Sequence, residues 1–407
     1  MTDTRPIRLA FIVALLAALL APTAWGIHTY KPEPPRPAAP QAAQPAKTGE
    51  SPAATPPATP GGPDRPARSF AQAFARSSAQ ALARVLAFPR DYQAGYNANF
   101  PLRGSLVEAN NAGRIRLFGE SPIKAVVLGK NHWLYYNLEW CMEDYENLAP
   151  FSADDLDKIE KVQSQRTSWL AERGIRYYVM VAPNSQTINP ENLPDRFHKL
   201  SPLSRLDQLG QRLAAHPEIN LLDPRQALRQ AKAERRAYHR TDTHWNDWGA
   251  FTAANLLLAR IGQDIANVKP DRLEDLSLTL NHTQGGDLAG LLSLDFPEEY
   301  PVIAPKTPRL AKRTESSDPQ GRLVRGGVIV METGRPDLPR AVVFQDSFCV
   351  ALMPMLAEHF SRIVYVWNFD FDANLIEREK PDVVILECAE RYIYALTLDN
   401  PKSVSGE

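Results

Sequence analysis

From residue 155 onward the chain repeats one pattern, an amphipathic helical stretch followed by a short apolar run. Residues 155–174 (DLDKIEKVQSQRTSWLAERG) precede IRYYVMVAP (175–183), and residues 202–216 precede INLLD (219–223). A further helical stretch, 224–238, leads through a loop into another at 247–262. After a less regular span the alternation returns with RAVVFQ (340–345), VALMPMLAEHF (350–360), RIVYVW (362–367) and DVVILE (382–387). Short apolar runs separated by helices predict an α/β fold, a mostly parallel sheet with helices on both faces. Residues 263–340 break the pattern and read as an insertion or cap. Near the start of this region, 124–137 reads as two short strands joined by a tight turn at Gly129-Lys130-Asn131. In such sheets functional groups stand just past the carboxyl ends of strands. That rule selects Asn184, Asp223, the segment QDSF (345–348) and Glu387.

The first part of the chain is of another kind. Arg5 and Arg8 precede thirteen apolar residues, 9–21, which extend through 27 to a length that just crosses a bilayer. Residues 1–27 are read as a signal anchor, with a cleaved signal peptide as the alternative; the arginines ahead of the run place the bulk of the chain outside the cytoplasm. In residues 31–66, twelve of thirty-six are proline and large apolar side chains are absent. Such a segment cannot bury a core, so 28–67 reads as a disordered Pro/Ala-rich linker reaching roughly 100 Å. The folded domain spans 68–407, opening with an amphipathic helix at 69–88 that Pro89 ends. A net charge of −1 gives no sign of nucleic acid. Three cysteines, Cys141, Cys349 and Cys388, are too few for a disulfide scaffold and are not spaced for zinc. One bridge or three free thiols both fit.

Two segments carry chemistry. In AYHRTDTHWNDWG (237–249), Asp242 and His244 are two apart, so they share a side of an extended chain. A carboxylate beside an imidazole fixes its tautomer and stabilises the imidazolium, as a general base requires. Asn246 is a good N-cap for the helix that follows. The plain alternative is a surface turn with solvated side chains. In VVFQDSF (342–348) a buried strand runs into Asp346-Ser347 and then a helix. Ser347 would there meet its own N–H and neighbouring backbone N–H groups, an oxyanion-binding arrangement suited to acyl transfer. Here the plain alternative is that Ser347 or Asp346 is a helix N-cap. Together the two segments supply a nucleophile, a base and an orienting acid. No metal is expected, because His239 and His244 are five apart and no second ligand pair exists. Trp245 and Trp248 read as core.

Several motifs, in order, resemble the SGNH hydrolase-like alginate O-acetyltransferases of the AlgJ/AlgX family. They are NANFPLRG (97–104), VVLGKNHWLYY (126–136), YVMVAPNSQTINPENLP (178–194), YHRTDTHWN (238–246), GGDLAGLL (285–292) and VVFQDSF. The resemblance covers residues 90–395, and TDTHWN followed far downstream by DSF is its most specific pair. It implies an SGNH-like three-layer sandwich and a triad of Ser347, His244 and Asp242, with the acid and base ahead of the serine in the chain. It implies an acetyl group carried on the serine to a hydroxyl of an exported polysaccharide in the periplasm, with no cofactor. The donor would be delivered by a membrane-bound O-acyltransferase partner, and the N-terminal segment would tether the protein to the inner membrane. Glu387, Arg391 and Asn184 are the further residues expected to line the substrate pocket; Asp287 either shapes the cleft or closes a turn. Arg103 and Trp133 are expected to be structural and Cys349 to pack in the core. Gln345 stands where related serine blocks have glycine, and Ser185 and Asn189 stand where relatives carry lysine and tyrosine. With no further module after the domain, the arrangement is closer to AlgJ than to AlgX. An acetylesterase using the same triad, and a non-catalytic scaffold, are the alternatives.

Overall fold

The computed structural model describes residues 102–318 and 324–406. The anchor, the linker and the helix expected at 69–88 lie outside the described residues. Strands and helices alternate as the pattern predicts. They run α1 (Arg103–Phe118), β1 (Val126–Leu128), β2 (Leu134–Tyr136), α2 (Cys141–Glu146), α3 (Ala153–Ala171), β3 (Arg176–Ala182), α4 (Arg205–Leu213), β4 (Asn220–Leu222) and α5 (Arg225–Glu234). Then come α6 (Asp247–Asp264), β5 (Leu276–Thr283), α7 (Asp287–Leu292), β6 (Glu298–Pro305), β7 (Lys312–Ser316), β8 (Val328–Glu332), β9 (Arg340–Phe344), β10 (Arg362–Val366), α8 (Ala373–Glu379) and β11 (Val383–Ala389).

Seven strands form the main sheet in the order β4-β3-β11-β9-β10-β8-β7. The first five are parallel and the last two add antiparallel at one edge. Of the span expected to insert or cap, β7 and β8 thus join the sheet, while β5 and β6 form a separate antiparallel ribbon with α7 between them. The short hairpin β1–β2 is present, with Asn131 and His132 taking the left-handed conformations its turn requires.

Strand alternation explains the layers. Tyr178, Met180, Val343 and Ile385 face one side with α5, α6 and the segment after β9. Tyr177, Val179, Val342, Phe344 and Leu386 face the other side with α3, α4 and α8. Side chains of both sets are almost fully removed from water, as a sheet covered on both faces requires. Helix starts follow local chemistry: Ser152 with Asp155, and Ser204 with Asp207, form reciprocal capping boxes for α3 and α4. The helix expected over 350–360 is instead a series of short turns, 347–351, 353–356 and 357–359. Pro354 has no N–H to donate to a continuous helix there.

The placement of β11 matters most. It inserts between β3 and β9, which come far earlier in the chain, so the sheet's connections turn outward in opposite directions at this point. The carboxyl ends of β3, β11 and β9 lie side by side, the position where open α/β sheets bind ligands.

Candidate active site

The segment 237–246 closes into a narrow loop. Tyr238 pairs with Trp245 across it, His239 N–H reaches His244 O at 3.3 Å, and Asn246 N–H reaches Ala237 O at 3.1 Å. Asn246 then caps α6, accepting from the N–H groups of Trp248 and Gly249, while its own amide holds Arg236 O at 2.7 Å. The loop is tied to the sheet through Tyr238, whose hydroxyl donates to Pro183 O just past β3. It is tied to the segment after β9 through Trp245, whose indole N–H donates to Phe348 O at 3.0 Å. Trp245 is core, as expected, and also fastens the two halves of the site together.

That fastening brings Asp242, His244 and Ser347 into one hydrogen-bonded line. His244 Nε2 lies 2.8 Å from Ser347 Oγ, and Nδ1 lies 2.7 Å from Asp242 Oδ1. With the proton on Nδ1 donated to Asp242, Nε2 is free to accept the serine hydroxyl proton. Burial alone would raise the pKa of Asp242. The hydrogen bond and charge of His244, with the N–H groups of Asp287 and His244, instead hold it at about 2. Asp242 is therefore an anion at any ordinary pH.

Sequence reasoning undervalued Asp287. Its N–H donates to Asp242 Oδ2 at 2.9 Å, its Oδ1 accepts Thr243 N–H at 2.9 Å, and its Oδ2 accepts the Thr243 hydroxyl at 2.6 Å. Burial and the nearby Asp242 charge raise its pKa. The approach is close: a Cβ at Gly286 would stand 2.4 Å from Asp242 Cβ. The glycine just ahead of Asp287 in GGDL was the available signal, since only glycine leaves that space. Asp242, His244 and Asp287 also form a group that could hold a cation, but His244 Nδ1 already has an acceptor in Asp242.

A second missed residue is Glu298 on β6. Its buried carboxylate accepts Arg240 N–H at 2.9 Å, Thr241 N–H at 3.2 Å and the Thr241 hydroxyl at 2.6 Å, and pairs with Arg236 at 3.1 Å. Thr241 passes this on, because its Oγ1 accepts Gly286 N–H and its carbonyl accepts Leu288 N–H. Glu298 thus locks the loop carrying Asp242 and His244 to the segment carrying Asp287. Nothing in its EEY context marked it.

On the nucleophile side, Asp346 is the N-cap. Its Oδ1 accepts Phe348 N–H at 2.9 Å and its Oδ2 accepts Ala389 N–H at 2.7 Å. This corrects the expected oxyanion arrangement: the Phe348 amide is spent on Asp346, leaving Ser347 N–H as the backbone donor at the turn. Burial pushes the pKa of Asp346 up, with Arg391 and the two N–H groups opposing.

The remaining expected residues divide. Asn184, past β3, lies beside Arg391, past β11, whose guanidinium reaches Asn184 Oδ1 at 3.4 Å. That contact turns the Asn184 amide nitrogen the other way, where it is buried without a protein acceptor. Arg391 is buried too, 5.2 Å from the Phe348 ring, and that ring is 4.9 Å from the His244 ring. Asn184 and Arg391 therefore adjoin the triad. Glu387 does not face an open cleft: it is fully buried beneath the turn, accepts Asp346 N–H at 3.4 Å, and burial drives its pKa well up. The pocket-lining role expected for Glu387 is replaced by support of the nucleophile turn. Asp223 is held by Arg225 and does not join the others. Ser185 and Asn189 are buried, Trp133 stacks on Tyr135 in the core, and the three cysteines are buried and unbridged.

Residues 126–327 match the family described as the SGNH hydrolase-like domain of acetyltransferase AlgX. This stretch, just under half of the chain, is similar to that domain. The match takes in Asp242, His244 and Asp287 and stops short of Ser347. The chain is 28% identical over 242 residues to a probable alginate O-acetylase AlgJ of Azotobacter vinelandii, across 56% of this chain and 58% of that protein. It is 30% identical over 237 residues to the same-named protein of Pseudomonas fluorescens, across 56% of this chain and 55% of that one. The chain thus matches little more than half the length of these relatives. Among solved structures, Bacillus cereus PatB1 with a sulfonyl adduct superposes with a TM-score of 0.50 at 18% identity, covering 67% of this chain and 98% of that one. That likeness is one of fold, and it agrees with the mostly parallel sheet covered on both faces.

Proposed function

We propose that the protein is an O-acetyltransferase that carries an acetyl group on Ser347 and passes it to a hydroxyl of an exported polysaccharide of the alginate kind. The observation that carries this reading is the line from Asp242 through His244 to Ser347 Oγ. In the first half-reaction Ser347 Oγ attacks the acetyl carbonyl of the donor while His244 Nε2 takes the serine proton. The donor's leaving group then departs with that proton, and an acetyl ester remains on the serine. In the second half a sugar hydroxyl gives its proton to Nε2 and attacks the ester carbonyl, and the proton returns to Ser347 Oγ. Asp242, ionised throughout, stabilises the imidazolium in both halves. The developing oxyanion is met by Ser347 N–H and by the Asn184 amide, a buried donor with no other acceptor. No step requires a cofactor or a metal.

The names of the relatives at 28–30% identity support alginate as the polymer class. The basic residues ahead of the N-terminal apolar run support export to the periplasm, with residues 1–27 as an inner-membrane tether and a membrane-bound acyltransferase as donor partner. Among the described residues no helix is long and apolar enough to cross a membrane. Purified protein given an acetyl donor and an alginate oligosaccharide should yield acetylated sugar, and Ser347→Ala should lower that yield at least about a thousandfold while remaining folded. Release of free acetate alone would replace this reading with an esterase. Undiminished acetylation by Ser347→Ala would leave a scaffold.

A further inference from the structure

Glu139 and Trp140, between β2 and α2, both occupy the left-handed region, with φ of 57° and 65°. Side chains with a Cβ rarely adopt it, and two in succession need a cause. Local packing supplies it for Glu139, whose Oε2 accepts the Tyr392 hydroxyl at 2.5 Å and forms an ion pair with the Arg391 guanidinium at 3.2 Å. For Trp140 the backbone supplies it, since its carbonyl accepts Asp144 N–H at 2.8 Å as the first bond of α2, and this fixes where its side chain stands. Trp140 is 60% exposed, more than nearly any other large apolar residue among the described residues, and none of their aromatic rings or cations packs against it. The strained turn therefore holds a broad apolar face out in solvent.

The location of that face is informative. Glu139 is clamped to Arg391, which rests 5.2 Å from the Phe348 ring, and Phe348 in turn packs against His244 at 4.9 Å. Also beside Arg391, at 5.7 Å, lies the partly buried ring of Tyr136. Tyr136 ends β2, whose Leu134 N–H binds Arg240 O in the loop bearing Asp242 and His244. The turn is thus built onto the rim of the site, through a buried cation that bridges rim and triad. A flat, rigid, exposed indole is suited to one kind of ligand here, a ring with an apolar face and polar edges. The axial C–H groups of a pyranose present such a face.

We infer that Trp140 is the stacking platform for a sugar ring of the acceptor chain, with Tyr136 as its inner neighbour, and that it guides the polymer toward Ser347. This rests on the acyl-transfer reading only in naming the sugar as acceptor. The test begins with full-length protein carrying Ser347→Ala, titrated with an alginate hexasaccharide and followed by tryptophan fluorescence. Trp140→Asn added to that background removes the indole while keeping a residue that tolerates the left-handed backbone, so folding is protected. The expected results are a fluorescence change on sugar addition, a loss of affinity of about tenfold in Trp140→Asn, and a smaller loss in Trp140→Phe. In the Ser347 protein, Trp140→Asn should raise KM for the hexasaccharide more than it lowers kcat. Equal affinity in the presence and absence of the indole would overturn the inference. So would unaltered sugar binding accompanied by loss of a protein contact. If the wild type fails to acetylate the sugar yet binds it through Trp140, the platform stands and the acyl-transfer reading falls.

Discussion

Asp242 and Asp287 both approach His244 Nδ1, at 2.7 and 3.8 Å, yet the protein treats the two carboxylates oppositely. Asp242 is held at about 2, so its charged form is favoured by the fold. A depressed carboxylate stabilises above its unfolded pKa of about 4, and this contribution fades as pH falls toward 2. Asp242→Asn should therefore lower Tm at neutral pH, with the gap from wild type closing in acid, and should cut turnover by about 10⁴. Asp287 is raised, so its charged form is resisted, and the neutral isostere removes a cost at neutral pH. Asp287→Asn should leave Tm unchanged or higher while slowing turnover about tenfold or more, since it loosens Thr243, which stands between Asp242 and His244. Thermal melts and acetylation rates on the same samples check both; equal Tm shifts of one sign would show that the two carboxylates are not distinguished. The D-x-H spacing made the first of these legible in the sequence. The role of the second stayed open between cleft and turn, because Asp287 reaches the site through a fold-back across 45 positions.

Among elements, the loop 237–246 depends on how α6 begins. Asn246 accepts the first N–H groups of the helix and donates back to Arg236 O, so one side chain ends the loop and starts the helix. Asn246→Ala should cost about 0.5–2 kcal/mol and should reduce turnover as well, because His244 loses its fixed exit. Urea unfolding with a parallel activity assay separates the two effects; full activity at reduced stability would show that the cap does not position the histidine. Glu298 tests the other anchor. Its removal leaves Arg236 without its buried partner and two backbone N–H groups unpaired, so Glu298→Ala should cost about 3–5 kcal/mol. Asn246 was readable from its place between an extended run and a helical one. Glu298 was not, since nothing in the sequence of β6 shows that the carboxylate at its start meets a loop some 57 positions earlier. The broken segment 347–359 was missed because apolar content alone hid what Pro354 and the Asp346 cap do to a helix.

At the scale of the molecule, the sheet order does the positioning. β11 comes last in sequence but lies between β3 and β9, so Asn184, Ser347 and Arg391 meet only when the chain is complete. The alternation of helices and apolar runs predicted a parallel sheet with two covered faces, and the strand pairings agree. It could not predict that order, nor that β7 and β8 extend the edge, because pairing is decided by packing between distant segments. Leu386, buried on β11, should cost about 2–5 kcal/mol as Leu386→Ala and should lower activity only through the unfolded fraction. The most direct measurement of the central claim is mass spectrometry of the intact and digested protein after brief reaction with an activated acetyl ester and acid quench. One acetyl group on the peptide bearing Ser347, absent from Ser347→Ala and from His244→Ala, is the predicted result; an unmodified Ser347 in active protein, or an acetyl group carried elsewhere, would contradict it.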